Sequence, residues 1–430
     1  MAFTWRLPAA LALGLVPLLL SPAWATVLGW TALVAALAGL DACLAASPAA
    51  LRLERAPLAA IRLTEPAASS LRLANPTRRK ARLRLRDAWP ASAGAESEVR
   101  RLDVPAGEAR RSAGRLRPTR QGDFEADLVT IRSFGPLGLA GRQRSLAVAG
   151  RLRVLPEFRS RRHLPSRLAR LREMDGRTAA QVRGQGTEFD SLREYALGDD
   201  VRSIDWRASA RAEHVMVRTW RPERDRRVLI VLDTSRWAAG RVGDRTRLDA
   251  GVEVALLLGA VAAAGGDRVE LLAADRVLRA QTAPVVGAGT LASLADRLAL
   301  VTPALVEANW TLLAGLIQAR VRQRALVVLA TSTDPALVEV GLGPVLETLL
   351  RRHVVMLAAV RDPGDAELRA RRQDSDALFD AAAAERRQLA VAAMEQRLRA
   401  MGAHVVTGLP DALAPAVADA YLALKAAGRL

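Results

Sequence analysis

Cysteine is almost absent from this 430-residue sequence, in which Cys43 is the single example. One cysteine excludes an intrachain disulfide and a cysteine-based zinc site. Histidine is scarce as well, and the four histidines are scattered without a pair at the helical spacing of a metal site. We therefore expect neither a zinc-binding fold nor a histidine metal centre.

Lysine is nearly absent too, and arginine supplies most of a formal net charge of +18. Such a charge is compatible with nucleic acid or anionic lipid as a partner. The sequence has no RNP-like aromatic motif, no zinc finger and no long basic run, so we expect no nucleic-acid partner. Aromatic residues make up only 4% of the chain, so leucine, valine and alanine must fill its cores.

Signatures of common enzyme classes are missing. The sequence has no G-x-x-x-x-G-K-[ST] phosphate loop and no G-x-S-x-G nucleophile elbow. Gly287-Ala288-Gly289 is an isolated G-x-G, which we interpret as a loop. We predict that the chain does not hydrolyse ATP itself and is not an enzyme.

A long uncharged segment lies near the start, between residues 7 and 40. As one helix it would be about 50 Å long, too long for a hydrocarbon core of about 30 Å. The sequence LSPAW at residues 20–24 supplies a break. We predict a two-helix transmembrane anchor over residues 1–48, with helices at about 7–20 and 25–45 and the lipid bilayer as their partner.

Basic residues set the expected side of the membrane. Arg6 precedes the apolar segment and Arg52, Arg55 and Arg62 follow it, which favours both ends in the cytoplasm. A cleaved signal peptide is the alternative, because residues 23–25 resemble an A-x-A cleavage site. Residues 27–46 would then still cross the membrane, so both alternatives predict a membrane-anchored chain that lies mostly in the cytoplasm.

Residues 50–155 alternate apolar and polar side chains with period two, as in SLRLANPTRRKARLRLRDAW and EADLVTIRS. This pattern predicts half-buried strands, and pairs such as Asn75-Pro76 and Gly135-Pro136 predict turns between them. Several short strands at about ten-residue spacing predict a small β-sandwich. We expect its arginines to form a solvated outer face, with contact to anionic lipid as the alternative.

Residues 228–430 alternate strand and helix patterns. Buried strands are predicted at 228–233, 325–330 and 354–360, with further strands at RVELLAA and AHVVTG and helices between them. The alternation predicts an α/β fold with a parallel, doubly wound sheet covered on both faces. In such folds, ligands bind beyond the carboxyl ends of the strands.

Oxygen-bearing side chains stand at this predicted edge. Asp233 and Ser235 follow the first strand, Thr311 lies at the start of a later helix, and Ser332 and Asp334 follow the strand at 325–330. Such oxygens suit Mg²⁺, the one cofactor for which the sequence offers candidate ligands, although no cofactor requirement follows. The alternative is that Asp233 and Ser235 cap a loop and the next helix.

The most distinctive segment is GTEFDSLREYALGDDVRSIDWRASAR, residues 186–211. It resembles the signature of domain-of-unknown-function family 58, which comprises bacterial membrane-anchored proteins with a von Willebrand factor A-like domain. Support comes from RQGDFEADLVTIRSFGPLGL, RLRVLPEF, VLIVLDTS and RHVVMLAAVRDP. The resemblance covers nearly the whole chain.

The resemblance implies a two-helix anchor, a β-sandwich at 50–155, a signature linker at 156–227 and a von Willebrand factor A-like domain at 228–430. It also implies a partner, because members are commonly encoded beside MoxR-type AAA+ ATPases and are thought to act with them in assembling or maturing other proteins. The expected location is the bacterial inner (cytoplasmic) membrane. No enzymatic activity is implied.

A-like domains bind their ion through D-x-S-x-S, a distant Thr and a distant Asp. Asp233 and Ser235 match, whereas Trp237 stands at the second serine position. Thr311 fits the threonine position, and Asp334 comes two residues late for the acid. The resemblance therefore implies a degenerate metal-ion-dependent adhesion-type site that serves as a protein-binding surface, with a working Mg²⁺ site as the alternative.

The carboxylates of residues 188–211 alternate with arginines, a spacing that argues against a catalytic cluster. We expect Asp199 and Asp200 to cap a turn and pair with arginines, and Ile204 and Trp206 to pack against a core. We predict a salt-bridged clasp or partner-docking surface. Its residues are Arg193, Tyr195, Gly198, Asp199, Asp200, Arg202, Asp205 and Trp206.

The leading hypothesis is a membrane-tethered adaptor whose A-like domain binds the ATPase or its client. One alternative is a structural cell-envelope protein. The other is a metal-dependent hydrolase that uses Asp233 or the carboxylates of residues 190–205.

Overall fold

The structure is a computed structural model that describes residues 2–96, 99–181, 188–197, 199–221, 226–371 and 373–430. The chain divides into two compact units, Met1–Glu157 and Phe158–Leu430. The four-segment division that the sequence suggests stays a prediction.

Three helices lie near the start of the first unit: α1 (Arg6–Ala12), α2 (Leu15–Leu20) and α3 (Trp24–Leu44). α3 is long and apolar enough to cross a membrane. Trp30 of α3 donates from Nε1 to the Ala10 carbonyl at 3.1 Å. Gly14 leaves room for this ring, since a Cβ there would lie 2.3 Å from a ring carbon. The first apolar segment therefore folds back onto α3.

The strands of the first unit form two sheets. They are β1 (Ala2–Phe3), β2 (Arg52–Arg55), β3 (Ile61–Arg62), β4 (Ala67–Ala74), β5 (Ala81–Asp87), β6 (Val99–Val104), β7 (Ala109–Leu116), β8 (Gly122–Phe134) and β9 (Ala140–Leu155). The larger sheet has the order β1-β9-β8-β5-β6, with β3 parallel to β9, and the smaller has the order β2-β4-β7. Leu71 and Leu73 of the smaller sheet share one buried cluster with Leu83, Leu85 and Ile131 of the larger. The period-two pattern therefore arises because one face of each sheet packs on the other.

The expectation that the arginines of this unit form a solvated outer face is wrong for Arg55 and Arg100. The side chain of Arg55 is 2% exposed and forms a bidentate pair with buried Asp87, at 2.7 and 3.0 Å. Arg100 reaches the same carboxylate at 3.1 Å. Trp89 also donates to it from Nε1. The buried carboxylate of Asp87 draws both guanidinium groups inward, because a buried charge must be paired.

The second unit contains an α/β domain preceded by α4 and a two-stranded hairpin. Its helices are α4 (Leu164–Gln181), α5 (Trp206–Ala212), α6 (Arg236–Ala239), α7 (Arg247–Ala264), α8 (Thr290–Leu298), α9 (Trp310–Arg320), α10 (Pro335–Leu337), α11 (Gly343–Leu350), α12 (Pro363–Ala370), α13 (Ser375–Ala400) and α14 (Pro410–Ala426). Its strands are β10 (Glu188–Glu194), β11 (Met216–Arg221), β12 (Arg227–Asp233), β13 (Arg241–Val242), β14 (Arg245–Thr246), β15 (Arg268–Ala274), β16 (Leu278–Gln281), β17 (Leu326–Ala330), β18 (Val354–Val360) and β19 (His404–Gly408).

The central sheet of the second unit has the order β16-β15-β12-β17-β18-β19. β15, β12, β17, β18 and β19 run parallel, and β16 pairs antiparallel with β15 at one edge. The predicted mixed α/β class is confirmed. The parallel strands are continuous apolar runs because helices cover both faces of the sheet.

Alternate side chains of the strands face opposite helix layers. On one face, Leu229 and Val327 share a core with Leu313 of α9 and Leu398 of α13. On the other face, α7 and α14 pack on the sheet. Gly251 lets α7 approach closely, since a Cβ there would lie 3.3 Å from Leu232 and 3.4 Å from Ala330. This packing fixes the ends of β12 and β17 side by side, which positions the candidate site.

Candidate functional site

The carboxyl ends of β12, β17 and β18 meet at one edge of the central sheet, because the strands are parallel neighbours. Asp233 ends β12 and is followed by Thr234 and Ser235. Thr331 and Ser332 follow β17. This edge is where doubly wound sheets bind their ligands.

Asp233 lies at the centre of this edge and is 2% exposed. Its Oδ1 accepts a hydrogen bond from the Ser235 backbone N–H at 2.8 Å, and its Oδ2 lies 2.7 Å from the Thr331 hydroxyl, which donates to it. Burial raises the pKa of Asp233 above its usual range, while the bonds from Ser235 and Thr331 act in the opposite direction. Both oxygens are therefore engaged within the protein, and burial weakens the preference of this carboxyl group for its charged form.

Asp275 is a second buried carboxylate beside this edge, and it was not predicted from the sequence. It accepts hydrogen bonds from the Thr234 hydroxyl at 2.8 Å and from Arg279 Nε at 2.7 Å. Burial alone would raise the pKa of Asp275, but the hydrogen bonds from Arg279 and Thr234 prevail and lower it. Its place directly after β15 mirrors that of Asp233 at the end of β12, and this was the available signal.

The structure places the four predicted metal ligands in different roles. Ser235 caps α6, with its hydroxyl accepting from Trp237 N at 3.3 Å. Asp334 caps α10, with its carboxylate accepting from Ala336 N at 2.9 Å. Thr311 is exposed on α9. Among the described residues, no group of three or more His, Cys, Asp or Glu is arranged to hold a metal. Two of these positions act as caps and Thr311 has no described contact with Asp233, and the Mg²⁺ alternative stays a prediction.

A cavity of about 230 Å³ opens beside Asp233, at the ends of β17, β18 and β19. Arg247, the first residue of α7, and Ser332 line both this cavity and a smaller one that contains Asp233. Arg247 donates from Nη1 to the Ser332 hydroxyl at 3.0 Å. Arg247 was not predicted from the sequence, because no local motif distinguishes it from the other arginines.

The signature segment forms a hairpin in which β10 pairs antiparallel with β11. Asp199 forms an ion pair with Arg193 and also accepts from Ala196 N at 2.8 Å. Asp200 accepts from Arg202 N at 3.0 Å. Asp205 accepts from Arg207 N and binds Arg218 at 2.8 Å. The carboxylates thus pair with arginines or cap turns, as expected for these acids; Gly198, which was also predicted, lies outside the described residues.

Trp206 does not anchor the hairpin against a core, contrary to the expectation. Its side chain is 70% exposed. The reason is that Asp205 caps α5, which makes Trp206 the first residue of a short helix on the solvent side. Ile204 is half-buried and pairs with Val217, and Tyr195 is partly exposed. The role of this surface in partner docking stays a prediction.

The chain is similar to one protein family and to proteins from two mycobacterial species. The model of the family "Protein of unknown function DUF58" matches residues 191–405. Uncharacterized proteins of Mycobacterium bovis and Mycobacterium tuberculosis are 26% identical over 194 residues. The alignments cover 44% of this chain and 59% of those proteins, so the chain spans less than two thirds of their length.

A solved structure, a protein of unknown function from Porphyromonas gingivalis W83, is 15% identical with a TM-score of 0.20. The matched region covers 25% of this chain and 49% of the Porphyromonas gingivalis protein.

Proposed function

Because the chain belongs to the family described as protein of unknown function DUF58, we propose that it is a membrane-anchored adaptor. Its second unit binds a MoxR-type AAA+ ATPase, or a client of that ATPase, during protein assembly or maturation. The partner class follows from the family resemblance. The observation that supports binding is the cavity beside Asp233, which presents Arg247 at the ligand-binding edge of the sheet.

The proposal takes the central sheet as that of a von Willebrand factor A-like domain. Counted along the chain of this domain, the strand order is 3-2-1-4-5-6, with the third strand antiparallel at the edge. Doubly wound sheets of this order bind ligands where the order reverses, at the ends of the first and fourth strands. Asp233 and Thr331 stand at those two ends.

The proposal also takes residues 6–44 as a transmembrane hairpin. Support comes from the turn at residues 135–140, which contacts both ends of the apolar segment. The Thr4 hydroxyl donates to the Gly138 carbonyl at 2.6 Å, and Arg6 donates to the Leu137 carbonyl at 3.2 Å. Asp41, near the other end, accepts from Leu137 N at 2.8 Å. Contacts of both ends with one turn support a segment that leaves and returns on the same side, and the flanking arginines favour the cytoplasmic side.

Direct binding of the purified full chain to a purified MoxR-type ATPase from the same organism tests the proposal. The chain is held in detergent micelles, and the dissociation constant is measured by calorimetry without nucleotide, with ADP and with ATP. We expect a complex in at least one nucleotide state. No heat of binding in any of the three states would refute the adaptor role.

A further inference from the structure

The cavity beside Asp233 lies between the strand ends and helices α12 and α13. The residues that line it include the polar Arg247, Ser332, Asp334 and Asp362 as well as apolar side chains. These apolar residues are Val360, Ala366, Val391, Ala392 and Leu409. About 230 Å³ is less than the 300 Å³ or more of a typical small-molecule site, so the cavity suits a single side chain.

Most charges in the cavity already have partners. Arg361 binds the buried carboxylate of Glu395 at 3.3 Å, and Arg387 pairs with Asp365. The two remaining acids are helix caps: Asp334 begins α10 and Asp362 begins α12, each accepting a backbone N–H at 2.9 Å. Carboxylates at helix N-termini are stabilised there and do not need a cation.

Arg247 is the exception among these charges. In the part of the chain that the structure describes, its side chain bonds to the neutral hydroxyl of Ser332 and has no carboxylate partner. Ser332 is fixed in turn, because its hydroxyl accepts from Asp334 N at 3.2 Å. Gly240 leaves space for the guanidinium, since a Cβ there would lie 3.2 Å from Arg247 Nε. A guanidinium has five N–H donors. One that is fixed in place without a carboxylate partner can therefore bind an anion.

We propose that this cavity receives a single carboxylate side chain, aspartate or glutamate, from the protein that the second unit binds, and that Arg247 is its ion-pair partner without a metal ion. The inference rests on the proposed adaptor role and names the chemistry of its partner. One unpaired guanidinium balances one negative charge, and the carboxylates of Asp334 and Asp362 in the lining repel a doubly charged phosphate. The apolar walls suit the aliphatic stem of glutamate.

N-acetyl-glutamate methylamide, added to the full chain in detergent micelles at low ionic strength, serves as the probe. Calorimetry compares it with the matching glutamine compound, which has the same shape and no charge, and with inorganic phosphate. Every titration is repeated with EDTA. Arg247→Gln removes the proposed partner, and Ser332→Ala removes the bond that orients it. Arg297→Gln removes the same charge from an exposed site on α8, outside the cavity.

We expect the glutamate probe to bind wild type and the Arg297→Gln variant at least tenfold more tightly than the glutamine probe does, with or without EDTA. Arg247→Gln should abolish that preference and Ser332→Ala should weaken it several-fold. Equal binding of the two probes, tighter binding of phosphate, or loss of binding in EDTA would each overturn the proposal. If Arg247→Gln fails to fold, the comparison of probes on wild type still decides.

The outcomes separate this site from the adaptor role. If the glutamate probe binds selectively but no complex with the ATPase forms, the carboxylate site is supported and the proposed partner is refuted. If the ATPase binds wild type and Arg247→Gln equally well, the adaptor role is supported, and the cavity is not part of the interface with the ATPase.

Discussion

Asp41 and Asp233 are two buried aspartates with opposite surroundings. Asp41 is 0% exposed and accepts three backbone N–H groups, from Leu137, Leu139 and Ala140, at 2.7–3.0 Å. Asp233 is 2% exposed and accepts one backbone N–H and one hydroxyl. Hydroxyls can also accept, whereas N–H groups cannot. Asp41 therefore sits where only an acceptor fits, and Asp233 sits where a neutral group is tolerated.

The difference separates a structural contact within the first unit from the candidate site in the second unit. Asp41 ties the end of α3 to the turn between β8 and β9, so the apolar helix and the first sheet are held together. Asp233 adjoins the smaller cavity that it shares with Arg247 and Ser332. Replacing each aspartate with the isosteric asparagine compares the two sites directly.

Asp41→Asn is expected to have the largest effect on stability. The new NH₂ group must face at least one backbone N–H, and a buried donor left unpaired costs about 1–3 kcal/mol. We expect the free energy of unfolding of the full chain to fall by about 3 kcal/mol, measured by denaturant titration in detergent micelles. Asp103→Asn, an exposed acid paired with Lys80, should change it by less than about 1 kcal/mol. Equal effects of the two changes would contradict the role of Asp41 in holding α3 to the turn between β8 and β9.

Gly135→Ala should break the same contact from the other side. A Cβ at residue 135 would lie 2.1 Å from both the backbone oxygen and Oδ1 of Asp41. Such overpacking typically costs about 1–3 kcal/mol, and we expect about 2 kcal/mol in the same titration. Gly39→Ala, on α3 with nothing within 4 Å of its Cβ, is the matched control and should cause no loss. An undiminished stability of the Gly135 variant would show that α3 and the turn can separate freely.

Asp233→Asn should change stability by less than about 1 kcal/mol at neutral pH, because Ser235 N can bond to the amide oxygen and the Thr331 hydroxyl can accept from the amide NH₂. Its effect should depend on pH. Since burial raises the pKa of Asp233 in the folded state, the folded chain binds its proton more tightly than the unfolded chain does.

The sign of that pH dependence follows from proton linkage. Below the ordinary value of 3.8 Asp233 is protonated in both states. As the pH rises from there through the raised pKa, wild type should lose stability relative to Asp233→Asn. Unfolding midpoints of both proteins across that range test this, with the difference between them isolating Asp233 from other acids. If wild type instead gains stability relative to Asp233→Asn as the pH rises, the pKa of Asp233 is lowered and not raised in the folded state.

Trp206→Ala is expected to leave stability within about 0.5 kcal/mol, because the side chain is 70% exposed. If the signature hairpin is the docking surface, the same change should weaken binding of the ATPase about tenfold or more, since exposed tryptophans are frequent binding hot spots. Phe379→Ala removes a similarly exposed aromatic side chain, 75% exposed, from α13. Equal affinities of the two variants would remove the hairpin from the interface.

Much of the fold was predictable because local patterns determine it. The apolar run ending at Asp233 is β12, and the helix expected before Gly265-Gly266 is α7. Gly266 adopts a φ of +77°, as expected of a glycine that ends a helix. The residues that define the sites were less accessible. Asp41 bonds to residues almost a hundred positions away, and no periodicity encodes such a contact.

The candidate site shows the same limit. Asp233 and Ser235 were found from their place after a buried strand, and the structure puts them at the sheet edge. Arg247 and Asp275 were missed, because their importance depends on which charges surround them after folding. Conversely, Arg55 was expected in solvent with the other arginines, although the period-two pattern places it on the same strand face as Leu51 and Leu53. Nothing near it in the sequence indicates the buried carboxylate of Asp87 that pairs with it.

The affinity of the full chain for the MoxR-type ATPase, measured with wild type, Arg247→Gln and Arg297→Gln, tests most directly whether the carboxyl edge of the central sheet is the binding surface. We predict that the dissociation constant is at least tenfold larger for Arg247→Gln than for wild type and unchanged for Arg297→Gln. The same affinity for all three proteins would contradict the assignment of the binding site to this edge.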